Sequence, residues 1–418
     1  MAQGFAAASN NPVTDESSGG LGQLLGVLWL VYSFTEIYGL FAVTLGVNLF
    51  YPVIVLYLLY FAVARPVRVI QVILMPVSWF VALTALIPIL MFFAGGGGTP
   101  FAWSSLVSRV SFFALFAGSA VVLLDPNGPE ILRKSARISL YIAMAMNFGD
   151  LFFENPLNRA EGTGRVAGLY GDANNSAAAL GTLLLLSLDF SKQSVRDLAL
   201  LGLSLLAIVA TQSRSGILFG GLIFLVYLVV PRGTGTFSGT GRLGLGFSAL
   251  LALSLGAVVG FQLADLDFDQ IWRIRQLIFL DFEDTSTAGR LERTVYTTEK
   301  FLEYFWTGRG LGASRFYGLF PHNAFLEIGL EYGIGGVLVF IGLILYTVIK
   351  AFRLGIRQNI GIAVIAFQIA YYSMFSHNVH TLSLFAAFFS AVAVGAAFKQ
   401  SEPVEQGVPQ RLAAQGAG

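Results

Sequence analysis

Residues 197–231 read DLALLGLSLLAIVATQSRSGILFGGLIFLVYLVVP and contain two apolar segments joined by a short polar turn. Runs of about 20 apolar residues are typical of membrane-spanning helices. A helix satisfies all of its own backbone hydrogen bonds, and lipid offers no others. This stretch therefore predicts two helices that cross a membrane in opposite directions, with Arg214 in the turn between them.

The same apolar character extends along the whole chain of 418 residues, of which 56% are hydrophobic and 12% charged. Its mean hydropathy is +0.72, and soluble proteins are about 25% charged, so a soluble globular protein is excluded. The predicted fold is all-α, a polytopic membrane protein with about 12 transmembrane helices. The predicted spans lie at roughly 21–36, 41–63, 69–93, 103–124, 136–151, 173–190, 197–211, 215–231, 243–263, 332–352, 360–376 and 381–398.

The content of ionisable residues excludes several kinds of site and partner. The chain has no cysteine, which excludes disulfides, thiolate catalysis and cysteine-ligated metals. It has three histidines, too few to suggest a histidine-rich metal centre. The 25 basic residues nearly balance the 24 acidic ones, so the overall charge implies no nucleic-acid partner.

The distribution of basic residues predicts how the chain is oriented, because lysine and arginine are retained in short cytoplasmic loops. The loops after the second, fourth, sixth, eighth and tenth spans hold twelve basic residues, and the opposite short loops hold three, Arg159, Arg165 and Arg214. Both termini are therefore expected in the cytoplasm, with residues 1–20 and 399–418 as disordered tails. The domain between them, 21–398, includes one large loop, 264–320, which this count places on the outer side of the membrane.

This loop has an ordinary soluble composition and is expected to form short helices. Its apolar positions recur at helical spacing and predict one stripe that lies against the membrane domain. The stripe consists of Leu291, Val295, Thr298, Leu302 and Phe305.

Three arginines on the predicted outer side are candidates for binding an anion. Arg214 breaks the charge pattern of the loops, so it is either an interfacial arginine whose side chain snorkels to water or a ligand of an anionic group. Arg290 and Arg293 lie one turn apart at the start of the predicted loop helix. They are either solvated or share that anion with Arg214. Guanidinium groups bind phosphate oxygens in a bidentate manner.

His322 is the candidate general base. It precedes a predicted helix in the segment Pro321–Glu327, where free backbone N–H groups favour an anion. A histidine can accept a proton near neutral pH, although one in such a place can also be only a structural hydrogen-bonding group. Two arginines and this histidine on one face predict transfer from a phosphate-activated donor.

Other polar groups leave alternatives open. The acidic clusters at 265–269 and 281–284 could ligate a divalent cation, although acidic residues in outer loops are usually solvated. His377 and His380 either line the site or cap a helix. Glu36 and Arg109 lie within predicted spans, where a translocator would keep its charges.

These motifs resemble those of the O-antigen ligase and polymerase superfamily of bacterial membrane glycosyltransferases. Arg214-Ser215-Gly216-Ile217-Leu218 fits the Arg-x-x-x-Leu pattern, and His322-Asn323, nine residues, Gly333, two residues and Gly336 fit His-Asn-x9-Gly-x-x-Gly. Residues 308–312 (GRGLG) look like the glycine-rich stretch before the family histidine. Residues 172–175 (DANN) look like a loosened form of its Asn-Pro-Asn element.

The resemblance implies a GT-C-like helical fold in the bacterial inner membrane and an inverting reaction without metal or cofactor. A glycan would pass from undecaprenyl diphosphate to an acceptor hydroxyl on the periplasmic face. Arg214 and Arg290, or its neighbour Arg293, would bind the diphosphate, and His322 would activate the acceptor. Further residues expected to line the site are Arg165, Asn174, Asn323, His377 and His380.

The acceptor separates the activities that the superfamily includes. Lipid A-core would make the protein a ligase, a second lipid-linked repeat a polymerase, and a protein hydroxyl an O-oligosaccharyltransferase. The compact loop disfavours the last of these. A transporter or flippase of lipid-linked sugars is the alternative from a different class, since its arginines would bind pyrophosphate without reacting.

Overall fold

The computed structural model describes residues 20–96, 99–158, 165–188, 190, 194–229, 285–316, 321–355, 360–376, 379 and 382–395, and all regular structure in these ranges is helical. The α-helices are α1 Gly20–Thr35, α2 Ile37–Leu45, α3 Phe50–Ala64, α4 Pro66–Leu74, α5 Pro76–Met91, α6 Ala102–Leu123, α7 Gly128–Gly149, α8 Ala173–Ser187, α9 Val195–Ala210, α10 Arg214–Val229, α11 Thr285–Glu303, α12 Ala313–Phe316, α13 Ala324–Gly355, α14 Ile360–Phe375 and α15 Ser383–Val394. The all-α prediction is confirmed for this part of the chain.

Fewer helices meet a strict length and hydropathy criterion for a membrane span than the sequence predicts. Three described stretches are long and apolar enough, Pro76–Ala94, Ala102–Leu123 and Ala324–Arg353. Two bent helix pairs, α1 with α2 and α3 with α4, raise the number to five if each pair counts as one span. The count of twelve stays a prediction, and the predicted span 243–263 and residues 264–284 of the loop lie outside the described residues.

Local backbone chemistry explains where the first spans break. Glu36 has φ +49° between α1 and α2, and the two helices meet at a bend of 73°. Met75 is extended before Pro76, as expected because proline disfavours the helical conformation of the preceding residue. The predicted span at 69–93 therefore begins as a helix at Pro76, and α4 is a separate helix at 104° to α3.

The core is built from aromatic residues and small residues that allow close packing. Trp29 of α1 is fully buried and donates from Nε1 to Ser119 Oγ of α6 at 3.1 Å. A Cβ atom at Gly118 would lie 2.4 Å from the Trp29 ring. Ser390 Oγ of α15 donates to the Phe116 carbonyl at 2.7 Å. α1, α6 and α15 thus form one packed layer behind the candidate site.

Two ion pairs join parts of the chain that are distant in sequence. Arg68 Nη1 of α4 lies 2.8 Å from Oδ2 of Asp125, which follows α6. Arg137 of α7 pairs with Asp197 of α9 at 3.6 Å, and its Nε donates to the Ser187 carbonyl at the end of α8. These contacts bring together segments that the basic-residue count assigns to the cytoplasm. Which end of the bundle faces the cytoplasm stays a prediction.

The loop helix is present, but its predicted stripe does not form the packed face. α11 spans Thr285–Glu303 and packs beside α13. Val295 and Leu302 are 50% and 61% exposed, whereas Thr297 is fully buried and the Phe301 ring lies against Gly329. Helical spacing identified a set of apolar positions. The face of α11 that packs is instead the one whose Phe301 ring fits the space left by Gly329 of α13.

Candidate active site

Arg214 is the first residue of α10 and follows a tight, internally bonded turn. Gln212 has φ +51°, a left-handed conformation that is uncommon for residues other than glycine. Ser213 N–H donates to Thr211 Oγ1 at 3.2 Å, and Gly216 N–H donates to Ser213 Oγ at 3.2 Å. Ser213 thus caps α10, and the turn presents the half-buried Arg214 side chain at a helix N-terminus.

Two of the predicted site residues brace this turn. Asn174 Oδ1 accepts from Ser213 Oγ at 2.8 Å and from Arg165 Nη2 at 3.2 Å. Arg165 Nε also donates to the Thr211 carbonyl at 3.4 Å. The guanidinium of Arg165 therefore bonds to protein acceptors and fixes the backbone that carries Arg214.

The first turn of α8 supplies the other side of this brace. Asp172 is the N-cap, and its carboxylate accepts from the backbone N–H groups of Asn174 at 2.8 Å and Asn175 at 3.2 Å. Just before it, burial raises the pKa of the Tyr170 phenol well above its usual range. The phenol stays protonated and donates to the Phe34 carbonyl at 2.8 Å. This bond ties the segment to α1.

Gly216, within the arginine motif, is the point at which α10 packs closely against α8. A Cβ atom at this position would lie 2.4 Å from Ala177 Cβ of α8, so only glycine allows α10 to approach α8 at its first turn. A narrow cleft opens beside this contact, between α8, α10 and α14. Its lining includes amide, hydroxyl and aromatic groups, namely Asn174, Ser215, Gln368, Tyr371 and Tyr372.

His322 lies at the head of α13 in a constrained conformation. Asn323 Oδ1 accepts from the N–H groups of Phe325 at 2.9 Å and Leu326 at 3.1 Å, so Asn323 is the N-cap. His322 itself is half-buried and has φ +44°. Non-glycine residues with positive φ concentrate at functional sites, where the surrounding structure maintains the strain.

The glycine pattern after His322 marks a sharp break in α13. Gly333 has φ +69° and ψ −168°, and the Phe325 and Phe340 rings lie 5.3 Å apart. Fifteen residues of continuous helix would separate them by about 22 Å. Residues 324–332, the fold-back segment, therefore pack against the helix that follows Gly333.

Close backbone contact holds this break in place. A Cβ atom at Gly333 would lie 2.5 Å from the Trp306 carbonyl oxygen, and one at Gly308 would lie 2.4 Å from the Glu331 carbonyl oxygen. Arg309 N–H donates to the Leu330 carbonyl at 2.7 Å. The glycine-rich stretch thus packs directly on the broken end of the segment that carries His322.

Gly333→Ala is expected to destabilise the protein by about 1–3 kcal/mol or more, because φ +69° with ψ −168° is a conformation that essentially only glycine adopts. Thermal unfolding in detergent measures the change. Gly335→Ala is the control, since a Cβ atom there meets nothing within 4 Å. Equal stability of the two variants would show that the break at Gly333 is not required.

The remaining candidates are placed only in part. Arg290 lies in α11, with its side chain outside the described residues, and Arg293 is exposed on the same helix. α11 packs beside α13, and its Phe301 ring contacts Gly329 of the fold-back segment. His377, His380 and the acidic clusters 265–269 and 281–284 lie outside the described residues. Within the part described, there is no group of three metal-ligating side chains.

The structure thus assembles two units. One joins Arg165, Asn174 and the turn before Arg214. In the other, the fold-back segment has His322 and Asn323 at its start and contacts the glycine-rich stretch at its end. α14 packs against both α13 and α8, and Tyr372 near its end donates to Asn175 in the first turn of α8. The sequence indicated Arg109 as an ionisable residue within a predicted span. Its ion-pair partner Glu331 was not identified from the sequence.

Comparison with known proteins agrees with the motifs. Residues 199–341 match the model of the family described as O-antigen ligase. This range contains Arg214, His322, Gly333 and both arginines of α11. No curated protein matches the chain. The match confirms the resemblance that the motifs indicated.

Proposed function

We propose, on the premise that residues 199–341 place this chain in the O-antigen ligase and polymerase superfamily, that it transfers a glycan from undecaprenyl diphosphate to an acceptor hydroxyl at the periplasmic face of the inner membrane. The family implies ligase- or polymerase-type activity on lipid-linked glycans. We propose lipid A-core as the acceptor, which makes the protein a ligase. Polymerisation of lipid-linked repeat units is the alternative.

The observation that carries this proposal is the construction of the Arg214 turn. A guanidinium stands at a capped helix N-terminus, where backbone N–H groups and the helix dipole favour an anion. A second arginine and an asparagine hold the backbone of that turn. Such an arrangement suits a diphosphate, whose oxygens match the planar guanidinium fork.

The reaction follows from this placement. The acceptor hydroxyl oxygen attacks the anomeric carbon of the sugar attached to the diphosphate, and its proton passes to the neutral imidazole of His322. The bond from that carbon to the diphosphate oxygen breaks, and undecaprenyl diphosphate leaves with the electron pair. Direct attack inverts the anomeric configuration. Arg214, together with Arg290 or Arg293, stabilises the charge that develops on the leaving group.

The arginines supply positive charge at the leaving group, so the proposed reaction requires neither a metal ion nor a nucleotide sugar. Membrane lipids surround the domain, and the proposal involves no nucleic acid.

One contact bears on the transporter or flippase alternative. Arg109, the buried cation within α6, has an acidic partner in the protein, since its Nη2 atom lies 3.4 Å from Glu331 Oε2. Its presence in a span is thus explained by an ion pair within the bundle. The charge of Arg109 is therefore explained without a translocation pathway.

The test is a transfer assay with purified protein and lipid-linked glycan. Lipid A-core is supplied to one reaction and a second lipid-linked repeat to the other, and the products are sized. One glycan joined to lipid A-core supports the ligase, and a ladder of lengths supports the polymerase. Binding of the donor with no product from either acceptor would contradict the proposed enzyme.

The predicted topology is tested with single cysteines, which are clean reporters because the chain has none. Ser286→Cys in α11 is expected to react with a membrane-impermeant thiol reagent in intact cells whose outer membrane has been permeabilised. Ser401→Cys in the C-terminal tail is the control and should react only after lysis. The reverse pattern would place the candidate site on the cytoplasmic side.

A further inference from the structure

A buried ion pair lies at the end of the fold-back segment that is opposite His322. Arg109 is 5% exposed and Glu331 is 2% exposed, and Arg109 Nη2 lies 3.4 Å from Glu331 Oε2. Arg109 Nε also donates to the Tyr332 hydroxyl at 3.1 Å. The pair joins α6 to the end of the fold-back segment, 222 residues away in the sequence.

The other oxygens of the acidic side chains bind the end of the outer loop. Gly312 N–H donates to Glu331 Oε1 at 3.0 Å. Ser314 Oγ donates to Glu327 Oε1 at 3.2 Å, and Glu327 is also buried. The carboxylates thus hold together three parts of the chain: α6, the segment around Gly312 and the fold-back segment.

This attachment matters because the fold-back segment is not held by helix continuity. At Gly333 the backbone leaves the helical region, so the direction of residues 324–332 depends on what they contact. His322 and the helix cap Asn323 lie at the N-terminal end of this segment. The contacts of the segment with its neighbours, including those of Glu331 at the opposite end, therefore contribute to where the imidazole lies relative to the bundle.

We propose that Arg109 and Glu331 are positioning residues for His322, which hold the fold-back segment in the orientation that aims the imidazole at the acceptor hydroxyl. This inference rests on the proposed function, because it takes His322 as the general base. Replacing a buried ion pair by well-packed hydrophobic residues of similar volume is often neutral for stability. Net stabilisation is therefore a weak explanation of the pair, and orientation is the stronger one.

The experiment compares Glu331→Gln, the double variant Arg109→Gln/Glu331→Gln and a control pair. Glu327 is a second buried carboxylate that interacts electrostatically with Arg109, so the stability of both variants in detergent is measured before their rates are compared. In the double variant, we expect donor affinity to match the wild type and the transfer rate at saturating donor to fall about 10–100-fold, since small misplacements of reacting groups have effects of that order. Lys300→Gln/Glu303→Gln, which removes the exposed pair of α11, should leave the rate unchanged.

A combination with His322→Ala separates positioning from a general structural effect. If the pair acts through His322, adding both glutamines to His322→Ala should cause no further loss of rate, because coupled residues are not additive. Multiplying losses would overturn the inference, as would a wild-type rate in a stable double variant. Should the double variant not fold, Glu331→Asp keeps the charge and shortens the side chain. A lower rate at unchanged donor affinity then supports positioning, and an unchanged rate overturns it.

Failure of the proposed function has a different signature. If His322→Ala alone transfers glycan at the wild-type rate, the base assignment is wrong whatever the pair does. If the wild-type protein transfers glycan and His322→Ala is slow, the outcome for the double variant tests the positioning role alone.

Discussion

Replacing His322 with alanine is expected to slow glycan transfer by about 10²–10⁴-fold, the usual contribution of general acid–base catalysis, without weakening the binding of the lipid-linked donor. The imidazole takes the proton of the acceptor hydroxyl, whereas the diphosphate is bound by arginines. Only neutral imidazole can accept a proton. The wild-type rate should therefore rise with pH through the titration of the histidine, and the variant should lose this dependence.

The backbone conformation of His322 calls for a matched variant. Alanine at φ +44° adds strain, whereas asparagine adopts the left-handed region more readily and does not act as a base. His322→Asn should be as slow as His322→Ala but more stable in detergent. Donor affinity, thermal stability and the pH–rate curve are measured on the same preparations. A near-wild-type rate in the asparagine variant would remove His322 from the mechanism and leave it a structural residue.

Replacing Arg214 with lysine is expected to lower activity about 10–100-fold although the charge is kept. An ammonium group cannot reproduce the bidentate contact of a guanidinium with diphosphate. Hydrogen bonds to charged groups contribute about 1.5–3 kcal/mol each, which corresponds to a loss of that size. The loss should appear in donor affinity, measured by binding of the lipid-linked glycan, as well as in the transfer rate.

Arg353→Lys provides the control for this substitution, because Arg353 is exposed near the end of α13, far along the chain from the candidate site. It should behave like the wild type. If Arg214→Lys also matches the wild type, Arg214 is an interfacial anchor and the diphosphate is bound elsewhere. A comparison of Arg290→Lys with Arg293→Lys in the same assay would identify the second diphosphate ligand.

Local sequence patterns predicted the elements of the candidate site because each depends on nearby residues. Arg214 was expected in a turn between two apolar segments, and it begins α10 directly after such a turn. His322 was expected before a helix, and Asn323 caps that helix. A capping side chain and a short polar turn are read within a few positions. The predicted start of the tenth span, residue 332, likewise falls next to the break at Gly333.

Contacts between distant parts of the chain were not predicted. Asn174 was expected to line the site because it belongs to a loosened motif, but its bond to Ser213, 39 residues away, was not predicted. Glu331 was not identified at all, because a carboxylate nine residues after His322 shows no pattern that points to Arg109. The same limit explains the stripe on α11, where the packed face is set by the space at Gly329.

The sequence by itself determined that the chain is apolar, that the described part of it is helical, and where its polar turns lie, because hydropathy, capping and turn chemistry act over a few residues. It also carried the family motifs. Only the tertiary structure decided that α13 folds back at Gly333 and that Arg109 meets Glu331. These features result from close approach of segments up to 222 residues apart, and such approach depends on the packing of every helix between them.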